Sequence, residues 1–149
     1  LREQFDLGLQ IRDRLSNIAE GVNSCRSLKK QLDGWAEHLD GMDGGADPAA
    51  TARALVDALS GVEEVLVQPE FTSRGDTLNY REKIFEKLAS LPPVVSSADA
   101  RPTKQSYAVF EKLSGQAEAP LGELARLIDD DLAALNTSIL GLGLGAIHA

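Results

Sequence analysis

Apolar residues recur along the first forty positions at Ile11, Leu15, Ile18, Val22 and Cys25, then at Leu28, Leu32, Trp35, Leu39 and Met42. The steps alternate four and three, with one additional three between Cys25 and Leu28. This spacing predicts a long amphipathic helix whose heptad-like stripe slips phase once. Phe5 begins it, and Gly8 and Gly21 weaken it without ending it. The stretch Asp40-Gly41-Met42-Asp43-Gly44-Gly45-Ala46 reads as a turn-rich linker.

Asp47-Pro48 predicts an N-cap followed by proline in the first helical turn. The second helix then runs to Val67 on a stripe of Ala52, Leu55, Leu59, Val62 and Leu66, and Pro69 ends it. After a loop, Asp76 or Thr77 is expected to cap a third helix carrying Leu78, Ile84, Phe85, Leu88 and Leu91. Pro92-Pro93 must interrupt its hydrogen-bond ladder, leaving Val94 to Asp99 as a further turn or a loop. Arg101-Pro102-Thr103 restarts a helix through Tyr107, Phe110, Leu113 and Ala117 to Leu121, Leu124, Ile128, Leu135 and Ile139. It is either one helix kinked at Pro120 or two meeting there, and Gly115 favours a break. No two-residue alternation bounded by turn residues competes.

The expected fold is all-α, an antiparallel bundle of about four helices with long first and last members. It spans residues 1–140, with 141–149 as a flexible Gly/Leu tail. The core is expected to hold Ile11, Leu15, Ile18, Val22, Leu32, Leu55, Leu59, Leu66, Leu88, Phe110, Leu113, Leu124, Ile128 and Leu135.

Composition narrows the function. The 149 residues carry a net charge of −8, and the cations are scattered, which argues against a nucleic-acid backbone or an anionic membrane surface as partner. No apolar run is long enough to span a bilayer. A single cysteine, Cys25, excludes an internal disulfide and a Cys-rich zinc site, and on the apolar stripe it reads as a buried, inert thiol. Leu1-Arg2-Glu3-Gln4 resembles no signal peptide and lacks an initiator Met, so the chain reads as a piece of a longer protein or a processed one.

Candidate chemistry is sparse. His38 sits one turn from Trp35 near a helix end, and His148 lies in the tail; neither has convergent metal ligands nearby in sequence. Asp129-Asp130-Asp131 point about 100° apart on a helix, so they cannot share one ion. Glu63-Glu64 reads as a solvated pair. Glu20, Glu63, Glu82, Glu86, Glu111 and Asp130 are expected on polar faces, away from any cleft. Gly141 to Gly145 lacks the context of a phosphate loop. Arg74-Gly75-Asp76 reads as a turn and a cap, and Asn136-Thr137-Ser138 is a sequon placed on a helix. No catalytic, cofactor-binding or metal-binding residue is assigned.

Several strings do carry a resemblance. Gly75-Asp76-Thr77-Leu78-Asn79-Tyr80, Lys87-Leu88-Ala89-Ser90-Leu91, Ser97-Ala98-Asp99-Ala100-Arg101-Pro102-Thr103 and Asp131-Leu132-Ala133-Ala134-Leu135-Asn136 resemble the helical C-terminal region of bacterial sialidase-like (BNR-repeat, sortilin-like) β-propeller proteins, named glycosyl hydrolases by analogy. Leu9 to Leu32 is similar to the segment that follows the propeller there. The propeller signature Ser-x-Asp-x-Gly-x-Thr-Trp is absent, so no catalytic residue carries over. The resemblance implies a non-catalytic accessory or docking domain of a larger, extracytoplasmic protein. Its partner would be protein, either an upstream propeller or another subunit. The alternatives are a stand-alone helical adaptor or dimerisation module, favoured by the heptad stripe, and a small ligand-binding bundle.

Overall fold

A computed structural model describes residues 2–68, 81–96, 102–145 and 147. The chain is all-α, and no strand occurs among the described residues. Helix α1 covers Arg2–Asp40 and α2 Ala46–Leu66; α3 (Ile84–Ala89) and α4 (Leu91–Ser96) are short. The last helical run comprises α5 (Lys104–Arg126), a π segment (Leu127–Leu132) and α6 (Ala133–Gly141). The chain divides into two compact units, one of residues 1–22 and 64–121, the other of 23–63 and 122–149.

In α1 the first unit buries Leu7, Ile11, Ile18 and Val22, and the second buries Cys25, Leu28, Leu32, Ala36 and Leu39. Each such Leu or Ile contributes about 1.5–3 kcal/mol by leaving water. Phe5 lies in the helix but is 66% exposed; Leu7 opens the buried stripe instead. Leu15 is half-buried rather than core. After the slip at Leu28 the buried steps are four, four and three, so Ala36 takes the inward position and Trp35 falls to the edge of the face. A helix advances 3.6 residues per turn, and two successive threes rotate the stripe toward the next residue.

The link from α1 to α2 depends on two glycines. Gly44 has φ +75°, open to glycine at no cost. A Cβ on Gly45 would stand 2.0 Å from the Leu39 carbonyl oxygen, so only glycine lets the incoming chain pass that close. The Gly45 carbonyl also accepts the first bond of α2, from the Ala49 N–H at 2.9 Å. Gly45 is therefore the N-cap, and Asp47 sits within the first turn, where its charge meets the helix N-terminus without capping it. This corrects the expected cap. The stripe of α2 is buried as expected, from Ala52 through Leu55, Leu59 and Val62 to Leu66.

The third helix is shorter than expected. Residues 81–83 are non-helical, Lys83 is extended at φ −104° and ψ −170°, and α3 begins at Ile84. The expected cap at Asp76 or Thr77, and Leu78, lie outside the described residues. The break before the prolines falls at Ser90, whose N–H bonds the Glu86 carbonyl at 3.2 Å. Pro92 and Pro93 then occupy the first turn of α4, where backbone N–H groups have no helical partner to lose. Thr103 caps α5: its Oγ1 accepts from the Ser106 N–H at 3.1 Å.

Helix α5 passes through Gly115 and Pro120 without ending, so the break favoured by Gly115 does not occur. Pro120 lacks the N–H that would bond the Gln116 carbonyl; because Gln116 is exposed, water can take its place. From Leu124 to Ile139 the buried positions are Leu124, Leu127, Leu132, Leu135 and Ile139. The step of five from Leu127 to Leu132 matches the i→i+5 period of the π segment that spans it. Leu127 takes the core position expected for Ile128, which is half-buried.

At its end α6 closes with a defined cap. Gly143, at φ +81°, donates to the Leu140 carbonyl at 3.0 Å, and Leu144 donates to that of Ile139 at 3.4 Å, the two bonds of a Schellman motif. Ile147 is buried, and both of its backbone groups bond the Asn136 amide, at 2.7 and 2.8 Å.

Two pairs of substitutions test these corrections by chemical denaturation. Leu127→Ala is expected to cost about 2–5 kcal/mol and Ile128→Ala clearly less; the reverse order would mean an unbroken α-helical register. Gly45→Ala should cost at least the ~1–3 kcal/mol typical of overpacking. Asp47→Ala should cost well under the ~1 kcal/mol lost with an N-cap. Equal costs at 45 and 47 would return the cap to Asp47.

Candidate docking surfaces

The acidic residues do not all face water. Glu63, expected in a solvated pair with Glu64, is only 6% exposed. Leu59, Val62 and Leu66 turn the same face of α2 inward, and Glu63 lies beside them. Its charge is met from α1: Arg26 Nε donates to Oε1 at 2.8 Å, and Lys29 Nζ to Oε2 at 3.3 Å. Lys29 also reaches Ser60 Oγ at 3.3 Å. A carboxylate this dry is tolerated only when paired in this way. Cys25 is fully buried beside the cluster. Burial, then the Glu63 charge, push its thiol up to about 11, against a smaller downward pull from Lys29 and Arg26. It is a buried thiol, as the stripe position predicts.

The remaining candidates are spread over separate elements. His38 is exposed in the last turn of α1 and meets Trp35 edge to face, with ring centroids 6.0 Å apart. Asp129 and Asp130 are exposed, while Asp131 pairs with Arg126 at 3.3 Å. Arg126 also holds the Glu123 carboxyl below its usual range. Arg53 does the same to Asp40. The Asn136 amide is engaged by Ile147, so the sequon is not open to a glycan, and Gly143 serves the cap of α6. Glu82 and Glu86, expected on outward faces, are half-buried; a Glu86 oxygen accepts the Gln68 backbone N–H, and its Oε2 has no hydrogen-bond partner. Arg74-Gly75-Asp76 and His148 lie outside the described residues. Among those residues no group of three or more His, Cys, Asp or Glu is placed to hold a metal, and no helix is long and apolar enough to cross a membrane.

Two surface features stand out. In the second unit, a concavity of about 440 Å³ opens on α1 beside Lys30, Gln31, Gly34, Trp35 and His38. It exists because Ala36 rather than Trp35 turned inward and because Gly34 places no side chain beside the indole.

In the first unit, three concavities of about 390, 360 and 220 Å³ join into one groove between α3–α4 and α5. The first two share Lys87 and Gln116, and the last two share Leu91 and Val109. Its walls carry Val65, Val94 and Val109, which are 49%, 60% and 36% exposed. The other exposed large apolar residues among those described, Phe5 and Leu140, are not among its lining residues. Arg81, Lys83, Lys87 and Lys112 line the groove as well. In sequence these cations are scattered and the valines are only off-stripe apolar residues, so the groove has no signal along the chain. It appears once α3 and α4 lie against α5.

The chain matches no protein-family model, no curated protein and no solved structure. The likeness to the helical region of sialidase-like proteins therefore rests on the sequence strings alone.

The Cys25–Glu63 contact is testable by thiolate absorbance. Because burial raises the folded thiol to about 11, the unfolded chain releases this proton first on going alkaline. This contribution to stability is complete below the ordinary value near 9 and is lost as pH rises toward 11. Glu63→Gln removes a negative neighbour and should lower the titration midpoint; an unchanged or higher midpoint would show that the thiol does not feel the cluster.

Proposed function

We propose that this chain is a non-catalytic helical docking module, the accessory domain of a larger propeller-containing, glycosyl-hydrolase-like protein. One observation carries the docking part: three exposed valines gather with four cations on a single groove of the first unit. Scattered surface apolar residues are ordinary, whereas their convergence in a concave strip with a charged rim is the usual form of a protein-binding site. The sequence strings quoted above support the parent context, and the partner is then the propeller or another subunit.

The carboxylates favour this reading over hydrolysis. Glycoside cleavage needs two carboxyl groups across a sugar-sized cleft, one of them held as an acid. Among the described residues the most buried carboxylate, Glu63, is paired with Arg26 and Lys29 and faces no second carboxyl across a cleft. A second reading, a small ligand-binding bundle, draws on the Trp35 concavity, whose volume suits a small molecule.

The isolated chain is expected to leave aryl-glycoside and sialoside substrates at the buffer rate. Turnover abolished by changing one carboxylate would replace the docking reading with an enzyme. The residues encoded before Leu1 test the parentage: repeats of Ser-x-Asp-x-Gly-x-Thr-Trp support it, and an initiator codon directly before Leu1 removes it.

A further inference from the structure

The groove of the first unit has a definite chemistry. Elsewhere in the described chain several cations are matched by carboxylates: Arg14 with Glu118, Arg26 and Lys29 with Glu63, Arg53 with Asp40, Arg126 with Glu123 and Asp131, while Lys30 and Lys104 stand singly outside the groove. In the groove, Arg81, Lys83, Lys87 and Lys112 make no ion pair with a described residue. Glu86, the one carboxylate between Lys83 and Lys87 in sequence, spends one oxygen on the Gln68 N–H and buries the other, and only Glu82 lines the wall. A chain of net charge −8 thus gathers four cations without ion-pair partners among the described residues around exposed valines. The cations surround the Arg81 end, and Leu91, Val94 and Val109 make the far end apolar.

The walls also restrict the conformation of what enters. They are formed by α3, α4, α5, the end of α2 and the non-helical residues 81–83, with no described wall residue in a strand, so they offer no strand edge. An occupant must satisfy its own backbone, which a helix does.

We propose that this groove takes an acidic amphipathic helix of a partner protein, with apolar side chains on Leu91, Val94 and Val109 and carboxylates on Lys83, Lys87 and Lys112. The proposal rests on the docking reading above and gives that site its partner chemistry. At physiological ionic strength charges beyond about 8 Å are screened, so these short-range pairs outweigh the repulsion between two acidic partners.

The probe is a fluorescein-labelled peptide of about 16 residues with Leu at i, i+3, i+4 and i+7 and Glu at the flanking positions, read by anisotropy near 0.15 M salt. Binding is expected, and it should weaken roughly tenfold or more in Lys87→Glu/Lys112→Glu and in Val109→Asp. Lys104→Glu, outside the groove, should bind as wild type, and circular dichroism checks that each variant is folded. A version of the peptide with Lys in place of Glu is expected to bind at least about tenfold more weakly. Equal binding of the two peptides would overturn the acidic assignment and leave the docking reading standing. Equal or tighter binding to phosphatidylcholine–phosphatidylserine vesicles, lost in the same variants, would overturn it in favour of a membrane. Self-association that Val109→Asp abolishes would name a second copy as the occupant instead. No binding of either peptide, together with a monomeric mass and no vesicle binding, would overturn both the proposal and the docking reading.

Discussion

What this chain must do before anything else is cover the apolar stripe of α1. That helix runs from Arg2 to Asp40, and its buried side chains are almost all Leu, Ile, Val or Ala. Helicity alone does not hold a helix in water, so its persistence depends on what packs against the stripe. Both compact units include a stretch of α1, which covers Leu7 to Val22 in one and Cys25 to Leu39 in the other. In α2 the buried side chains are Ala49, Ala52, Leu55, Leu59, Val62 and Leu66, a complementary apolar stripe. Gly45 permits the tight entry into α2.

Polar placement follows from the same packing. Glu63 is buried because its neighbours on α2 are core residues, and Arg26 and Lys29 on α1 meet it there. Such a cluster adds little net stability compared with apolar residues of the same volume. Its effect is on selection: a slip of α1 against α2 would leave a dry carboxylate without a cation, a cost a purely apolar contact would not impose.

Much of the fold was legible because its signals are periodic. The stripes of α1 and α2, the four-residue and three-residue steps, and the restart of a helix after Thr103 all follow from 3.6 residues per turn. The misreadings fall where another residue nearby satisfies the same need. Ala36 could turn inward in place of Trp35, Leu127 in place of Ile128, and the Gly45 carbonyl could start α2 in place of the Asp47 side chain. Periodicity counts apolar positions but does not weigh the local backbone, and a π segment or a glycine contact decides between adjacent residues. The groove was not legible at all, because Lys87, Lys112, Val94 and Val109 are separated in sequence and meet only in space. Glu63 showed the opposite failure, a charge read as solvated because its partners lie on another helix.

The displacement of Trp35 to the edge of α1 has a practical corollary. It is the only tryptophan in the chain, and it belongs to the second unit. Its emission is therefore a local reporter, sensitive to events within a few side chains of Lys30 and His38. The melting temperature seen by circular dichroism, by contrast, reports on helices of both units. Unfolding curves from the two signals, laid over each other, would measure how strongly the shared helix α1 makes the units melt as one.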